Sequence, residues 1–300
     1  MNDSEDVAGL RTKVRLICLD IDGTILTTRQ EITPATFDAV LRAQEKGIHV
    51  ALVTGRMVGS ALVPARALGI KDPLIALNGA FIRTMNGDEP VTGGSMEDSL
   101  YDAGLRDLFM DRLTIKQILE VLLPLGIRPS FYSGHTLYIG DRLERYERLL
   151  SRMKDPRYHI RTIDDHYGYG DMLFESELTV RKGILFPEAA VRQKAFDALC
   201  EIPGLSVVSS SPGNIEITVK DASKGLAVHQ LAEMLSIRPE EIMAIGDSDN
   251  DRSMLEMAGI SVAMGNAKET IQKITAFITE DNDHDGAALA IRRYALGELC

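Results

Sequence analysis

Two aspartates one residue apart, Asp20 and Asp22, follow the apolar run 14–19 directly and precede Gly23-Thr24. Like charges this close repel unless a cation or a substrate proton uses them. One carboxylate can attack phosphorus and carry the phosphoryl group as an aspartyl-phosphate. The other can protonate the departing oxygen and later activate water. Gly23 permits a tight turn, and Thr24 offers a hydroxyl donor. The plainer alternative is an Asx turn closing a strand.

Three further clusters bear on the same chemistry. Gly246-Asp247-Ser248-Asp249-Asn250-Asp251 packs carboxylates and an amide into one loop. Hard oxygen ligands at this density suit Mg²⁺, and the spacing is not that of an EF-hand. A solvated acidic turn is the alternative. Thr54-Gly55-Arg56 offers a hydroxyl and free backbone N–H groups suited to a phosphoryl oxygen. An ordinary helix cap by Thr54 is the alternative, and the one this segment alone favours, and Arg56 either binds substrate or pairs on the surface. Lys224 follows Ser223 at the start of a helix, where the dipole disfavours a cation. A bound anion relieves that conflict; a solvated lysine is the alternative. Together the clusters supply a nucleophile, a metal site and donors for equatorial oxygens, which phosphoryl transfer needs.

The elements that would position these residues can be read from apolar runs. Residues 14–19, 48–53 and 242–245 read as buried strands ending in the clusters at 20–24, 54–56 and 246–251. Thr33-Pro34 opens a helix closed by Gly47. Another helical stretch runs to about Leu68, and 74–77 and 260–264 are further apolar runs. Strands alternating with helices imply βαβ units and a parallel sheet, where ligands bind beyond the carboxyl ends of the strands. Between about 93 and 219 the rhythm changes. Helices are expected at 114–125, 142–153 and 188–200, and a strand at 176–186. Paired strands should meet at Ser133-Gly134, and a hairpin should turn at Ser211-Pro212-Gly213. This predicts an α/β protein with a Rossmann-like parallel-sheet core, 1–92 and 220–300, interrupted by an inserted α+β domain at 93–219.

Composition narrows the partners. The 300 residues carry 33 Lys plus Arg against 44 Asp plus Glu, a net charge of −11, so polyanionic partners such as nucleic acid and acidic membrane surfaces are disfavoured. Cys18, Cys200 and Cys300 are too sparse for a disulfide framework, which points to a reducing compartment. There is no apolar signal-like stretch at the N-terminus and no membrane-length apolar run, so the cytoplasm is the expected location.

The ordered set of motifs resembles the haloacid dehalogenase (HAD) superfamily, in its Cof-type branch with a type IIB cap. The residues that carry the resemblance are Asp20-Ile21-Asp22-Gly23-Thr24, Leu52-Val53-Thr54-Gly55-Arg56, Ile75-Ala76-Leu77-Asn78-Gly79-Ala80, Ser223-Lys224-Gly225 and Gly246-Asp247-Ser248-Asp249-Asn250-Asp251. Val262 to Ala267 and Asp283 to Gly286 look like the branch's closing segments. The resemblance implies that Asp20 is the nucleophile and a Mg²⁺ ligand. It implies that Asp22 is the acid/base and binds the metal through its carbonyl. Thr54, Gly55 and Lys224 would hold the phosphoryl group, and Asn250 would reach it. Asp247 and Asp251 would complete the metal site. Two features depart from the pattern: the long, charged segment 95–113 and His284. The expected activity is hydrolysis of small phosphorylated metabolites such as sugar phosphates. The alternatives are a phosphosugar mutase using the same intermediate and a non-catalytic phosphosugar-binding regulator.

Overall fold

The computed structural model describes residues 13–85, 104–134, 136–146, 159–211 and 213–298. The first stretch holds β1 (Leu16–Leu19), α1 (Pro34–Glu45), β2 (His49–Leu52), α2 (Val58–Ala67), β3 (Leu74–Ala76) and β4 (Phe81–Arg83). The middle of the chain holds β5 (Gly104–Asp107), α3 (Arg112–Leu122), β6 (Ser130–Ser133), β7 (Thr136–Ile139), β8 (His159–Thr162), α4 (Tyr169–Phe174), β9 (Val180–Leu185), α5 (Ala189–Cys200), β10 (Leu205–Val208) and β11 (Ile215–Val219). The remainder forms α6 (Lys224–Met234), β12 (Ile242–Gly246), α7 (Arg252–Met257), β13 (Ile260–Ala263), α8 (Glu269–Gln272), β14 (Phe277–Ile278) and α9 (Gly286–Ala290). No described helix is long and apolar enough to cross a membrane.

The principal sheet is parallel, in the order β14-β13-β12-β1-β2. Its strands are apolar on both faces because helices cover both. Ile17, Leu19, Val50 and Leu52 pack with Ala39, Val40 and Ala43 of α1 in one cluster. Leu16, Cys18, Ala51 and Val53 pack with Ala227, Val228 and Leu231 of α6 in another. The period of two along each strand produces this division. Thr33 caps α1, its Oγ1 accepting from Thr36 N, as the Thr-Pro pair predicts.

The second sheet has the order β10-β11-β9-β6-β7-β8. Helices α3 and α5 cover one face, where Ile115, Ile118, Leu122, Ala195 and Leu199 meet Phe131, Val180, Ile215 and Ile217. Tyr132, Leu137, Ile139 and Ile184, from the other face, join the apolar cluster of the principal sheet. The second sheet therefore sits on the first through its uncovered face.

Several local expectations are changed. The helix expected at 114–125 begins earlier, because Asp111 accepts from Thr114 N at 2.7 Å and caps it. Of the helix expected at 142–153, residues 143–146 form a 3₁₀ turn and the rest lies outside the described residues. The strand expected at 176–186 is confined to 180–185, with α4 ahead of it. β8 carried no signal because all its residues are exposed and it lacks apolar alternation. β3 joins β2 through a parallel bridge, Val53 to Ile75, and then pairs antiparallel with β4. β5, from the segment read as the start of the insertion, pairs with β4 instead of with the second sheet. Residues 95–103 of that segment lie outside the described residues.

Candidate active site

The register of three neighbouring strands creates the site. Leu19 lies level with Leu52 on one side and with Ile245 on the other. The residues that follow, Asp20, Val53-Thr54 and Gly246-Asp247, therefore emerge side by side. Asp20 N donates to Ile245 O, and Val53 N to Leu19 O, so the strands are still paired where the loops begin. Gly23 turns the chain with φ +80°, and a Cβ there would lie 2.6 Å from Asp247 Oδ2. A Cβ on Gly246 would lie 2.6 Å from Asp251 Cγ. Glycine at 23 lets the two acidic loops close on one another, and glycine at 246 lets the second loop fold back on its own Asp251.

Lys224, the first residue of α6, ties these loops together. Its Nζ lies 2.5 Å from Asp20 Oδ1 and 2.5 Å from Asp251 Oδ1, and all three residues are buried. The second oxygen of Asp251 accepts from the backbone N–H groups of Asp247 and Ser248, both at 3.0 Å. The carboxylates thus offset the dipole conflict expected for a lysine at this position. Burial opposes charge on Lys224, but Asp20 and Asp251 outweigh it and hold the ammonium protonated well above its ordinary range. Asp20, Asp247 and Asp251 each place an oxygen within 4.8 Å of the others'. Burial, with Asp251 adding to it, pushes Asp20 up to about 7 against the opposing pull of Lys224. Burial, then Asp251 and Asp20, push Asp247 up to about 8.

The donor set fits a hard divalent cation. Three clustered carboxylates face one ammonium, so charge balance is short by two positive charges. All the clustered donors are carboxylate oxygens, which suits Mg²⁺. Their mutual repulsion is of the kind that a bound cation relieves.

Thr54 is buried, its Oγ1 accepting from Arg56 N. Gly55 has no room for a side chain, since a Cβ would lie 2.7 Å from Asn78 Oδ1 and 3.2 Å from Lys182 Nζ. Arg56 forks onto Asp22, with Nε–Oδ2 and Nη2–Oδ1 both 2.7 Å, and Nη2 also reaches Gln30 Oε1 at 3.0 Å. Of the two roles the sequence left open for Arg56, the structure shows a pair, made with the acid/base candidate and not on the surface. Asn250 Nδ2 donates to Asn78 Oδ1 at 3.1 Å, while its Oδ1 is buried without a partner among the described residues. The buried Thr24 hydroxyl also has no partner among the described residues.

Sequence reasoning missed the second sheet's contribution. Lys182 of β9 donates to Gly55 O at 2.8 Å and pairs with Glu216 of β11 at 2.9 Å. Glu216 accepts from Asn78 Nδ2 at 2.6 Å, and from Ser210 and Asn214 through its other oxygen. Both charged side chains are almost wholly buried. The available signal was a charge at an interior strand position, in RKGIL and in IEITV, which burial tolerates only when it is paired. Other polar side chains of the second sheet make different contacts. Tyr138 bonds Glu175, and Arg181 forks onto Asp107. Tyr132 lies under Lys182, its ring centroid 5.9 Å from Nζ.

Comparison with known proteins gives this geometry a family. A profile of the haloacid dehalogenase-like hydrolases matches residues 17–291. Phosphatase YwpJ of Bacillus subtilis is 30% identical over 311 residues, covering 92% of this chain and 98% of its own. The 5-amino-6-(5-phospho-D-ribitylamino)uracil phosphatase YcsE of the same organism is 26% identical, covering 94% and 96%. The solved structure of the HAD subclass IIB sugar phosphatase BT4131 superposes with a TM-score of 0.76 at 21% identity, covering 93% and 98%. The chain belongs to the haloacid dehalogenase-like hydrolases, in their Cof-type branch, and is a phosphoric monoester hydrolase.

Proposed function

We propose that this enzyme hydrolyses small phosphate monoesters, sugar phosphates or related phosphorylated metabolites, in a Mg²⁺-dependent reaction through an aspartyl-phosphate on Asp20. The observation that carries the reading is Lys224 clamped at 2.5 Å to both Asp20 and Asp251 inside a three-carboxylate cluster. Asp20, Asp247, Asp251 and the backbone carbonyl of Asp22 would hold the metal. Bound Mg²⁺ supplies positive charge that neutralises the carboxylates and the phosphoryl oxygens.

The chain's own residues carry the remaining steps. Lys224 orients the Asp20 carboxylate and adds a positive charge beside the attacked phosphorus. Asp20 attacks, the bond from phosphorus to the ester oxygen breaks, and Asp22 delivers its proton to that oxygen. Asp22 then takes a proton from water, whose oxygen attacks phosphorus and releases Asp20 and inorganic phosphate. Arg56 sets the direction in which Asp22 points. Thr54 and the Gly55 N–H, with Asn250, would surround the phosphoryl oxygens.

The relatives named as acting on a phosphoribitylamino compound and on sugar phosphates support a small phosphorylated substrate. We place the core at 1–92 and 220–300 and the cap at 93–219, with β5 returning to the core's edge, and the enzyme in the cytoplasm. The test is release of inorganic phosphate from p-nitrophenyl phosphate with Mg²⁺ or with a chelator. Turnover should require the metal and vanish in Asp20→Asn. Turnover that survives in Asp20→Asn overturns the mechanism.

A further inference from the structure

Directly after β3 the chain passes through three consecutive residues in the left-handed region, Leu77 at φ +54°, Asn78 at φ +57° and Gly79 at φ +90°. Asparagine and glycine enter that region readily, leucine only under constraint. The constraint is a set of backbone bonds. Leu77 N donates to Arg56 O and Asn78 N to Thr54 O, both at 3.0 Å, while Thr54 N donates to Ile75 O at 2.8 Å. The turn is therefore stitched along residues 54–56, the loop that carries Thr54 and Gly55. It places the Asn78 side chain, 3% exposed, among three separate parts of the molecule.

Each part meets a particular atom of that side chain. Nδ2 donates to Glu216 Oε2 of β11 at 2.6 Å. Oδ1 accepts from Asn250 Nδ2 of the acidic loop at 3.1 Å. Oδ1 also lies against Gly55, 2.7 Å from the place a Cβ would take. The direction of these bonds is dictated from one end. Burial opposes charge on Glu216, but Lys182 and the hydrogen bonds hold it below the ordinary glutamate range. An ionised carboxylate only accepts, so Asn78 must turn its NH₂ toward Glu216, which leaves its oxygen for Asn250. Asn250 must in turn present its own NH₂ to Asn78.

The consequence falls on the phosphoryl group. An amide nitrogen carries two hydrogens. With one of them on Asn78, the other is the donor that Asn250 offers to a phosphoryl oxygen. The Asn250 Oδ1 is buried without a partner among the described residues, so the amide is held from its nitrogen side. Released from Asn78, the amide is free to turn over and present a carbonyl oxygen to an anion, exchanging attraction for repulsion.

We propose that Asn78 is a positioning residue for phosphoryl transfer, relaying the fixed acceptor of Glu216 in the second sheet to Asn250 so that Asn250 meets the phosphoryl oxygens with an N–H. The proposal rests on the phosphatase reading above. It makes the docked second sheet part of what orients the phosphoryl site.

The experiment measures kcat/KM for p-nitrophenyl phosphate at saturating Mg²⁺ in Asn78→Gly, Asn78→Asp, Asn250→Ala and the double variant Asn78→Gly with Asn250→Ala. Thermal midpoints establish that each is folded at the assay temperature. Glycine accepts the left-handed backbone and removes the amide. Asn78→Gly should lower kcat/KM about tenfold, mainly through kcat, a smaller loss than the roughly 10²–10³ that follows removal of a whole transition-state donor. Asn78→Asp restores an oxygen for Asn250, and the new carboxyl shares a proton with Glu216. It should recover activity severalfold over Asn78→Gly. With Asn250 gone, Asn78 has nothing to orient, so the double variant should match Asn250→Ala within about twofold. An Asn78 that only supports the fold would multiply the two losses instead. A loss under about threefold in Asn78→Gly, an Asn78→Asp no more active than Asn78→Gly, or losses that multiply would overturn the relay while the parent's turnover keeps the phosphatase reading intact. A parent that releases no phosphate with Mg²⁺ present removes both.

Discussion

Replacing Lys182 with methionine keeps the side chain's length and removes its charge. Glu216 would then remain 4% exposed without the ammonium now 2.9 Å away. Removing one partner of a buried ion pair costs roughly 3–5 kcal/mol. Glu216 would keep hydrogen bonds from Asn78, Ser210 and Asn214 at 2.6, 2.7 and 3.2 Å. The expected loss is therefore near the lower end, about 3 kcal/mol at pH 7. The pH dependence has a definite sign. Burial pushes Glu216 up, but Lys182 and the hydrogen bonds prevail and hold it below the ordinary glutamate range. In the parent, the stabilisation is complete above the unfolded value and lost as pH falls through the folded one. In Lys182→Met the burial penalty prevails and Glu216 binds a proton more readily folded than unfolded. The deficit relative to the parent is therefore largest at pH 7 and shrinks toward pH 5. Urea unfolding at the two pH values measures it. Lys182→Met with Glu216→Leu should recover most of the loss, because apolar residues can replace a buried pair. A deficit under about 1 kcal/mol, equal at both pH values, would refute the buried-pair argument.

Three other changes test the site and its supports. Gly79 has φ +90°, and a Cβ there would lie 2.2 Å from Ser223 O, at the cap of the helix that carries Lys224. Gly79→Ala should cost about 1–3 kcal/mol, read as a lower thermal midpoint, and reduce phosphatase activity with it. Asp247→Asn removes one of the three clustered carboxylates. It should raise the Mg²⁺ concentration for half-maximal activity about tenfold or more, and shrink the gain in thermal midpoint on adding Mg²⁺. Tyr146→Phe takes from the buried Ser130 Oγ its 2.7 Å partner. It should cost about 1 kcal/mol of stability in urea unfolding.

The grouping of the candidate site residues was legible because it follows from local signals. Asp20, Thr54 and Asp247 each sit where an apolar run stops, and parallel register carries three such stops to one edge without any knowledge of the loops between them. What the sequence left open is the result of long-range docking. Arg56 read equally as a substrate ligand or a surface cation, and only the fold of residues 20–30 against β2 shows its fork on Asp22. β5 was hidden because Gly104–Asp107 is mostly exposed and its pairing with β4 crosses the residues between the two strands. Lys182 and Glu216 are the instructive case. Alternation along β9 and β11 marks both as facing inward with a charge, so a partner was required for each. That the partners are one another, and that the pair also meets Gly55 O and Asn78, depends on contacts spanning 127 and 138 residues. Those contacts exist only when the second sheet rests on the strand ends of the first. A pair buried by docking, bonded to the loop that follows β2, couples the position of the second sheet to the geometry around the phosphoryl site. Loss of Lys182 should accordingly disturb turnover as well as stability, even though the motif residues Asp20, Asp22, Thr54 and Lys224 are untouched.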